Sequence, residues 1–286
     1  MESNAGNAAA LPLDAGRYSR ELALAVGLAG EAAAAIRQLF ESGPIAAREK
    51  ADHSPVTAAD MAANEIIVRG LRSALPDDAI LTEEAVDDGR RLSTARVWLV
   101  DPLDGTRDFV ERSPEFAVHL ALVVQGTPVV GVVALPMLGQ LAAAVRGAGA
   151  ILVEGGGTRT LAVAPERDTS ALRTGVSRFA MHAPLEQFLE RTGLGHHAVR
   201  CGASVKHIRL AEGGLDLCLT LHGSECEWDS AAPGLIVTEA GGRVTDADGA
   251  PLKYNQKDVR HHRGLILSTG QHHAALVRVA RECFPP

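Results

Sequence analysis

The chain has 286 residues, 46% of them hydrophobic and 22% charged, with a formal net charge of -7. This is the balance of a folded chain long enough for about two domains. The acidic excess excludes a general nucleic-acid-binding surface, which needs basic excess. Four cysteines occur without a C-x-x-C pair, which fits reduced thiols and a cytoplasmic location. Aromatic residues are only 3%, so Ala, Val, Leu and Ile must build the core.

In chain order, MESNAGNAAALPLDAG lacks a basic segment, and residues 1–16 are expected to form a flexible tail. Leu22, Val26, Ala29, Ala33, Ile36 and Phe40 recur at spacings of four and three, predicting a helix from Tyr18 to Phe40. A second helix starts at Thr57 and closes at Pro76. Strands are expected at 79–82 and 97–100, and then at 116–124 and 129–135 as a hairpin that 141–145 and 150–153 extend into a meander, all in an antiparallel sheet. Glu154-Gly-Gly-Gly-Thr158 reads as the most flexible segment. The apolar stretch 116–145 is interrupted by His119, Gln125, Gly126, Pro128 and Pro136, so it reads as strands, and no transmembrane segment is predicted. Beyond Pro165 strand-like pieces alternate with helix-like ones. The expectation is an α+β domain over 17–163 followed by an α/β domain over 164–286.

The chemistry gathers around VWLVDPLDGTRDF, residues 97–109. A buried strand that ends in Asp101 and Asp104 is costly unless something positive neutralises them. Glu83 ends the strand 79–82 in the same way, although a solvated acidic loop would read alike. Asp60 follows Thr57 by three residues, the spacing of a helix capping box. Asp229 opens the apolar run after Trp228 and equally reads as a helix cap. Hard cations take such oxygen ligands, and phosphate favours exposed N–H groups such as those after Gly105. The pairs His196-His197, His261-His262 and His272-His273 lack zinc-site spacing and are expected on the surface. No G-x-S-x-G elbow, Walker loop or G-x-G-x-x-G motif occurs, and no cysteine has a persuasive histidine partner.

DPLDGTRDF at 101–109 and WDSAA at 228–232 resemble the two signature motifs of the inositol monophosphatase-like superfamily of lithium-sensitive magnesium phosphatases. SPVTAAD at 54–60 and TEEA at 82–85 resemble its upstream motifs, in the same order. EWDSAAPG, GASVK at 202–206 and PLKYNQ at 251–256 are most similar to the CysQ-type 3'(2'),5'-bisphosphate nucleotidases. The resemblance implies a layered α/β/α/β/α sandwich of the inositol monophosphatase and fructose-1,6-bisphosphatase type. It implies that Glu83, Asp101, Asp104, Asp229 and the Leu103 carbonyl ligate about two or three Mg2+ ions per site. Asp60 and Thr106, with Glu83, would handle the attacking water. Gly105 and Thr106 would meet the phosphate, and Ser204, Lys206 and Asp229 would lie on the substrate side.

Departures from the commoner pattern are Pro233 after the two alanines, Asp108 where Glu is common and His119 where Asn is frequent. Pro233 is expected in the helix's first turn, where proline is tolerated. The implied activity is hydrolysis of 3'-phosphoadenosine 5'-phosphate to AMP and phosphate, in sulfur assimilation. The partner is then a small phosphorylated molecule, and homodimers are common in the superfamily. The alternatives are inositol-1-phosphate or fructose-1,6-bisphosphate hydrolysis on the same metal core, or a ligand-sensing protein that keeps only the fold.

Overall fold

The computed structural model describes residues 11–49, 55–165, 167–202 and 204–285. Helix α1 (Ser19–Glu41) buries Leu22, Ala25, Ala29, Ala32 and Ile36, a single face at spacings of three and four. A short antiparallel pair of β1 (Ala47–Glu49) and β2 (Pro55–Thr57), not anticipated from the sequence, precedes α2 (Ala58–Ala74). Residues 1–10 of the expected tail, and Ser54 of the SPVTAAD motif, lie outside the described residues. Leu11, Leu13 and Ala15, also assigned to that tail, pack against the core.

The span Gly16–Glu41 is long and apolar enough, by length and composition alone, to cross a membrane. The sequence pattern predicts only an amphipathic helix there. Its apolar stripe packs on α2 and on the large sheet.

That sheet has seven strands in the order β3 (Ala79–Thr82), β4 (Arg96–Asp104), β5 (Ala117–Val124), β6 (Thr127–Leu135), β7 (Gln140–Val145), β8 (Gly149–Glu154) and β9 (Gly157–Thr160). All pairs are antiparallel except β3 with β4, which run parallel. This corrects the expected all-antiparallel meander: the long connection 83–95 allows a crossover that a tight turn would not. The glycine-rich stretch after Glu154 is a hairpin turn between β8 and β9, with Gly155 and Gly156 at φ of 57° and 80°. Two successive positive φ values suit a tight two-residue hairpin and require glycine's freedom.

The second sheet has the order β11 (Ala198–Cys201), β10 (Thr174–Ser177), β12 (Leu217–Thr220), β14 (Leu265–Ser268) and β13 (Arg243–Thr245). Its first three strands are parallel and the last two pairings antiparallel. Helices α5 (Val205–Ala211) and α6 (Glu227–Glu239) lie between the two sheets. Helices α4 (Ala183–Thr192) and α7 (His273–Cys283) cover the far face of the second. The layers therefore run α1/α2, seven strands, α5/α6, five strands, α4/α7, the expected five-layer sandwich. The alternation along β4 shows its cause. Val97 and Leu99 face α5 and α6, while Trp98 and Val100 face α1 and α2, the two-residue period of a strand buried on both sides.

Two histidines expected at the surface are core residues. His261 Nε2 lies 2.7 Å from Ser230 Oγ. The ring of His273 sits between Thr245 Oγ1 and Ser268 Oγ, each at 2.8 Å. Burial pushes both down to about 4, so both are neutral hydrogen-bonding groups near pH 7. An adjacent His-His pair with one ring inward leaves no periodic signal in the sequence.

Gly131 of β6 is where α6 presses closest to the large sheet. A Cβ there would lie 2.9 Å from the Ala232 carbonyl oxygen and 3.2 Å from its Cα. Gly131→Ala must push backbone against backbone. The expected result is a loss of about 1–3 kcal/mol, read as a fall of roughly 2–4 °C in Tm per kcal/mol. Unchanged thermal unfolding would mean that α6 has room to retreat.

Candidate active site

The parallel pairing of β3 and β4 brings their carboxyl ends level. Thr82 pairs with Val100, and the next residue, Glu83, donates its N–H to the Val100 carbonyl at 3.2 Å. Glu83 and Asp101 thus leave adjacent strands side by side. A β-bulge then interrupts the pairing with β5 between Asp101 and Asp104, which lets both carboxylates turn toward one place. The Leu103 N–H donates to Asp101 Oδ1 at 3.0 Å. Gly105, at φ 87°, makes the left-handed turn into α3 (Thr106–Val110).

Asp60 is fully buried in the first turn of α2. Its Oδ2 accepts the Thr57 N–H at 2.7 Å and the Thr57 hydroxyl at 2.6 Å. Its Oδ1 lies 2.9 Å from Thr106 Oγ1. The capping box that made Asp60 ambiguous is real, and it fixes the carboxylate that faces Thr106. The same Thr106 hydroxyl is 3.1 Å from the Leu103 carbonyl.

Asp229 comes from the opposite layer. It is the third residue of α6, with Cys226 in the cap position, and its Oδ2 accepts the Cys226 N–H at 2.7 Å. This corrects the expected cap assignment: the helix starts at Glu227, two residues before Asp229. Pro233 consequently lies in the helix interior, beyond the first turn, so the Asp229 carbonyl lacks the N–H donor that position 233 would supply.

These acids share one electrostatic environment. Burial raises Asp101 well above the usual carboxylate range, and Glu83, Asp104 and Asp229 push it further. Asp229 is raised by burial and then by Glu225, Asp104 and Glu83. Asp104 is the exception. Burial pushes it up, but the His119 ring, Lys206 and the Ser204 N–H hold it below the usual range. The Ser204 N–H reaches Asp104 Oδ2 at 2.7 Å, and Ser204 and Lys206 are both buried. Ala203, between them and Gly202, lies outside the described residues.

Among the described residues, no three His, Cys, Asp or Glu side chains are grouped so as to hold a metal ion by themselves. The donor set is all oxygen and mutually repulsive. It fits a hard divalent cation that keeps water and substrate oxygens in its shell, and it does not fit zinc, which favours nitrogen and sulfur.

Three more residues belong to the site without having been expected there from the sequence. His119, on β5 opposite Asp101, is fully buried. Its Nδ1 lies 3.2 Å from the Trp228 carbonyl and its Nε2 3.3 Å from Asp104 Oδ2. The Trp228 carbonyl can only accept, so Nδ1 carries a hydrogen. His119 therefore links the two signature motifs; its departure from the common Asn was the only signal.

Glu225 is a further acid in the same environment. Burial raises it, while Lys206 and Thr220 act against that rise. Its position four residues before Asp229 carries no motif. Glu115, third, ties the two halves together. Its carboxylate accepts the Gly202 N–H at 2.7 Å and Arg209 Nη2 at 3.0 Å, and pairs with Arg178. Arg178 also lies 3.2 Å from Asp108 Oδ1, and burial pushes Asp108 up to about 6. A Cβ on Gly202 would come within 2.6 Å of Asp108 Oδ1, so glycine is what lets this loop approach.

A bulged strand end with two acids and a third acid from a helix start in the next layer gather negative charge at one place between the layers. Residues 18–284 match the Inositol monophosphatase family model, and the chain belongs to that family. It is 37% identical over 233 residues to the 3'(2'),5'-bisphosphate nucleotidase CysQ of Escherichia coli (strain K12), covering 81% of this chain and 92% of that one. It is 38% identical over 208 residues to a 3'-phosphoadenosine 5'-phosphate phosphatase of Mycobacterium tuberculosis, covering 70% and 73%. Among solved structures, the IMPase of Thermotoga maritima superposes with a TM-score of 0.79 at 26% identity, covering 92% of this chain and 98% of that one. CysQ of Bacteroides thetaiotaomicron superposes with 0.75 at 29% identity, covering 89% and 99%.

Proposed function

We propose that this protein is a Mg2+-dependent phosphatase that hydrolyses the 3'-phosphate of adenosine 3',5'-bisphosphate, giving AMP and phosphate. The observation that carries the reading is the juxtaposition of the Asp60–Thr106 pair with the acids Glu83, Asp101, Asp104 and Asp229. The substrate is taken from the activities named for its relatives in Escherichia coli and Mycobacterium tuberculosis.

Glu83, Asp101, Asp104, Asp229 and the Leu103 carbonyl would hold the metal. When bound, Mg2+ lowers the pKa of water and neutralises charge on the phosphoryl oxygens. The protein residues do the rest. Thr106 Oγ1 gives its hydrogen to Asp60 Oδ1, which leaves its lone pairs to accept from a water approaching phosphorus. Removal of the water's proton through Thr106 to Asp60 is general base catalysis with a hydroxyl relay. Gly105 and Thr106 offer N–H groups to the phosphate, and the leaving 3'-oxygen takes a proton from water. Ser204 and Lys206 lie on the substrate side, where a buried ammonium suits an anionic ligand.

The division into an N-terminal unit ending near 163 and a C-terminal unit from 164 is supported by the two separate sheets. A cytoplasmic location is supported by four free cysteines, and a homodimer is carried over from the family resemblance alone.

The test is phosphate release from adenosine 3',5'-bisphosphate, inositol-1-phosphate and fructose-1,6-bisphosphate, with Mg2+ and with added lithium. Fastest release from the nucleotide, suppressed by lithium, is expected. Faster release from inositol-1-phosphate would overturn the substrate, and Mg2+ binding without release from any of them would favour a sensor.

A further inference from the structure

The sequence motif PLKYNQ has no role in the chemistry above, yet it sits in a buried hydrogen-bond network outside the acid cluster. Arg91, in the 3-10 turn Arg90–Ser93, is only 2% exposed. Its Nε reaches Asp87 Oδ2 at 3.0 Å, its Nη1 reaches Asn255 Oδ1 at 2.8 Å, and its Nη2 reaches the Gln256 carbonyl at 2.9 Å. Asn255 Nδ2 returns a bond to the Arg91 carbonyl at 3.1 Å. The N–H groups of Asn255 and Gln256 donate to the two oxygens of buried Glu227, at 2.6 and 2.7 Å. Asn255 holds a left-handed backbone, φ 58°, which asparagine tolerates better than most residues.

The two ends of this network are what matter. Asp87 is four residues beyond Glu83, in the loop that leaves β3. Glu227 is the first residue of α6, two before Asp229. The bonds run from one acid's loop, through Arg91 and Asn255-Gln256, to the other acid's helix. A shared cation needs its donors placed to a fraction of an ångström, and the groups that orient ligands act on affinity without touching the metal.

We propose that Arg91 and Asn255 are positioning residues that set the Mg2+ affinity of the site by fixing the Glu83 loop against the start of α6. The inference rests on the metal reading above and adds to it a determinant that neither signature motif contains. The fork of Arg91 fills three acceptors that a lysine ammonium cannot reach together.

The test uses the full chain and two variants, Asn255→Gly and Arg91→Lys. Glycine accepts φ 58° without strain and removes only the side-chain bonds to Arg91. Tm is measured in EDTA and along a Mg2+ titration without substrate, and turnover of adenosine 3',5'-bisphosphate along the same titration. The expected result is a Mg2+ midpoint raised about tenfold in both readouts, with kcat at saturating Mg2+ within about twofold of wild type and KM unchanged. If the wild type responds to Mg2+ and both variants follow its curve, the positioning role fails and the metal reading stands. The positioning role also fails if the variants lose Tm in EDTA but keep the wild-type midpoint. If the wild type shows neither a Mg2+-dependent Tm nor Mg2+-dependent turnover, the metal reading fails and takes this inference with it. Should Asn255→Gly not fold, Arg91→Lys decides alone.

Discussion

Asp104→Asn is expected to abolish turnover while leaving the fold in place. Asn keeps the shape of Asp, and its carbonyl can still accept the Ser204 N–H that now reaches Asp104 Oδ2 at 2.7 Å. That carbonyl oxygen also keeps the place 3.3 Å from His119 Nε2, and the amide takes the other oxygen's position. The local bonds therefore survive the change, and what disappears is one negative charge of the cation site. Loss of at least about a thousandfold in kcat, ~4 kcal/mol of transition-state stabilisation, is the predicted size. The check is a pair of measurements. A ligand in hundredfold excess over its Kd stabilises the fold by about 2.7 kcal/mol. Wild type should therefore gain Tm with Mg2+, and the variant should not. Near-normal turnover, or a retained Mg2+ response, would remove Asp104 from the metal site.

The helices and strands were legible because periodicity survives burial, while their five-layer stacking was implied by the family resemblance. The helix and strand positions followed from spacings of three to four and of two, and most of their ends agree to within two residues. What failed were features without a local signal. The parallel β3–β4 pair depends on a crossover, and pairing direction is a property of the connection, not of Ala79–Thr82. The glycine run after Glu154 has the composition of a flexible linker, but positive φ at Gly155 and Gly156 makes it a hairpin turn.

The site divides in the same way. Asp60, Glu83, Asp101, Asp104, Thr106 and Asp229 were proposed from the sequence because each ends a strand or starts a helix and falls in a stretch that resembles a family motif. His119, Glu225 and Glu115 were not. Their places are set by partners far along the chain, such as Trp228 for His119 and Gly202 for Glu115. The residues proposed for the substrate side belong to this second kind. That is why the stretch 202–227 yielded only Ser204 and Lys206 to sequence reading, while the fold adds Glu225.

The pair Asp60 and Thr106 supports a second large effect that separates proton transfer from metal binding. Asp60 spends one oxygen on Thr57 and the other on Thr106, so Asp60→Asn can preserve at most part of this set. Its amide group cannot accept from the Thr57 N–H and hydroxyl, and its carbonyl must choose between Thr57 and Thr106. Either choice leaves the Thr106 hydroxyl without a base. Loss of a general base costs about 10²–10⁴ in rate, so kcat should fall by that factor with the Mg2+ midpoint in Tm unchanged. Thr106→Val keeps the volume but removes the hydroxyl and should fall by a similar factor. Thr106→Ser restores the oxygen and should recover most of the rate, with some lost to the freer serine rotor. The double variant Asp60→Asn with Thr106→Val should be little slower than either single one, because both break the same relay. Multiplicative losses in that cycle, each single factor applied in full, would show that the two residues act independently and that the water loses its proton elsewhere.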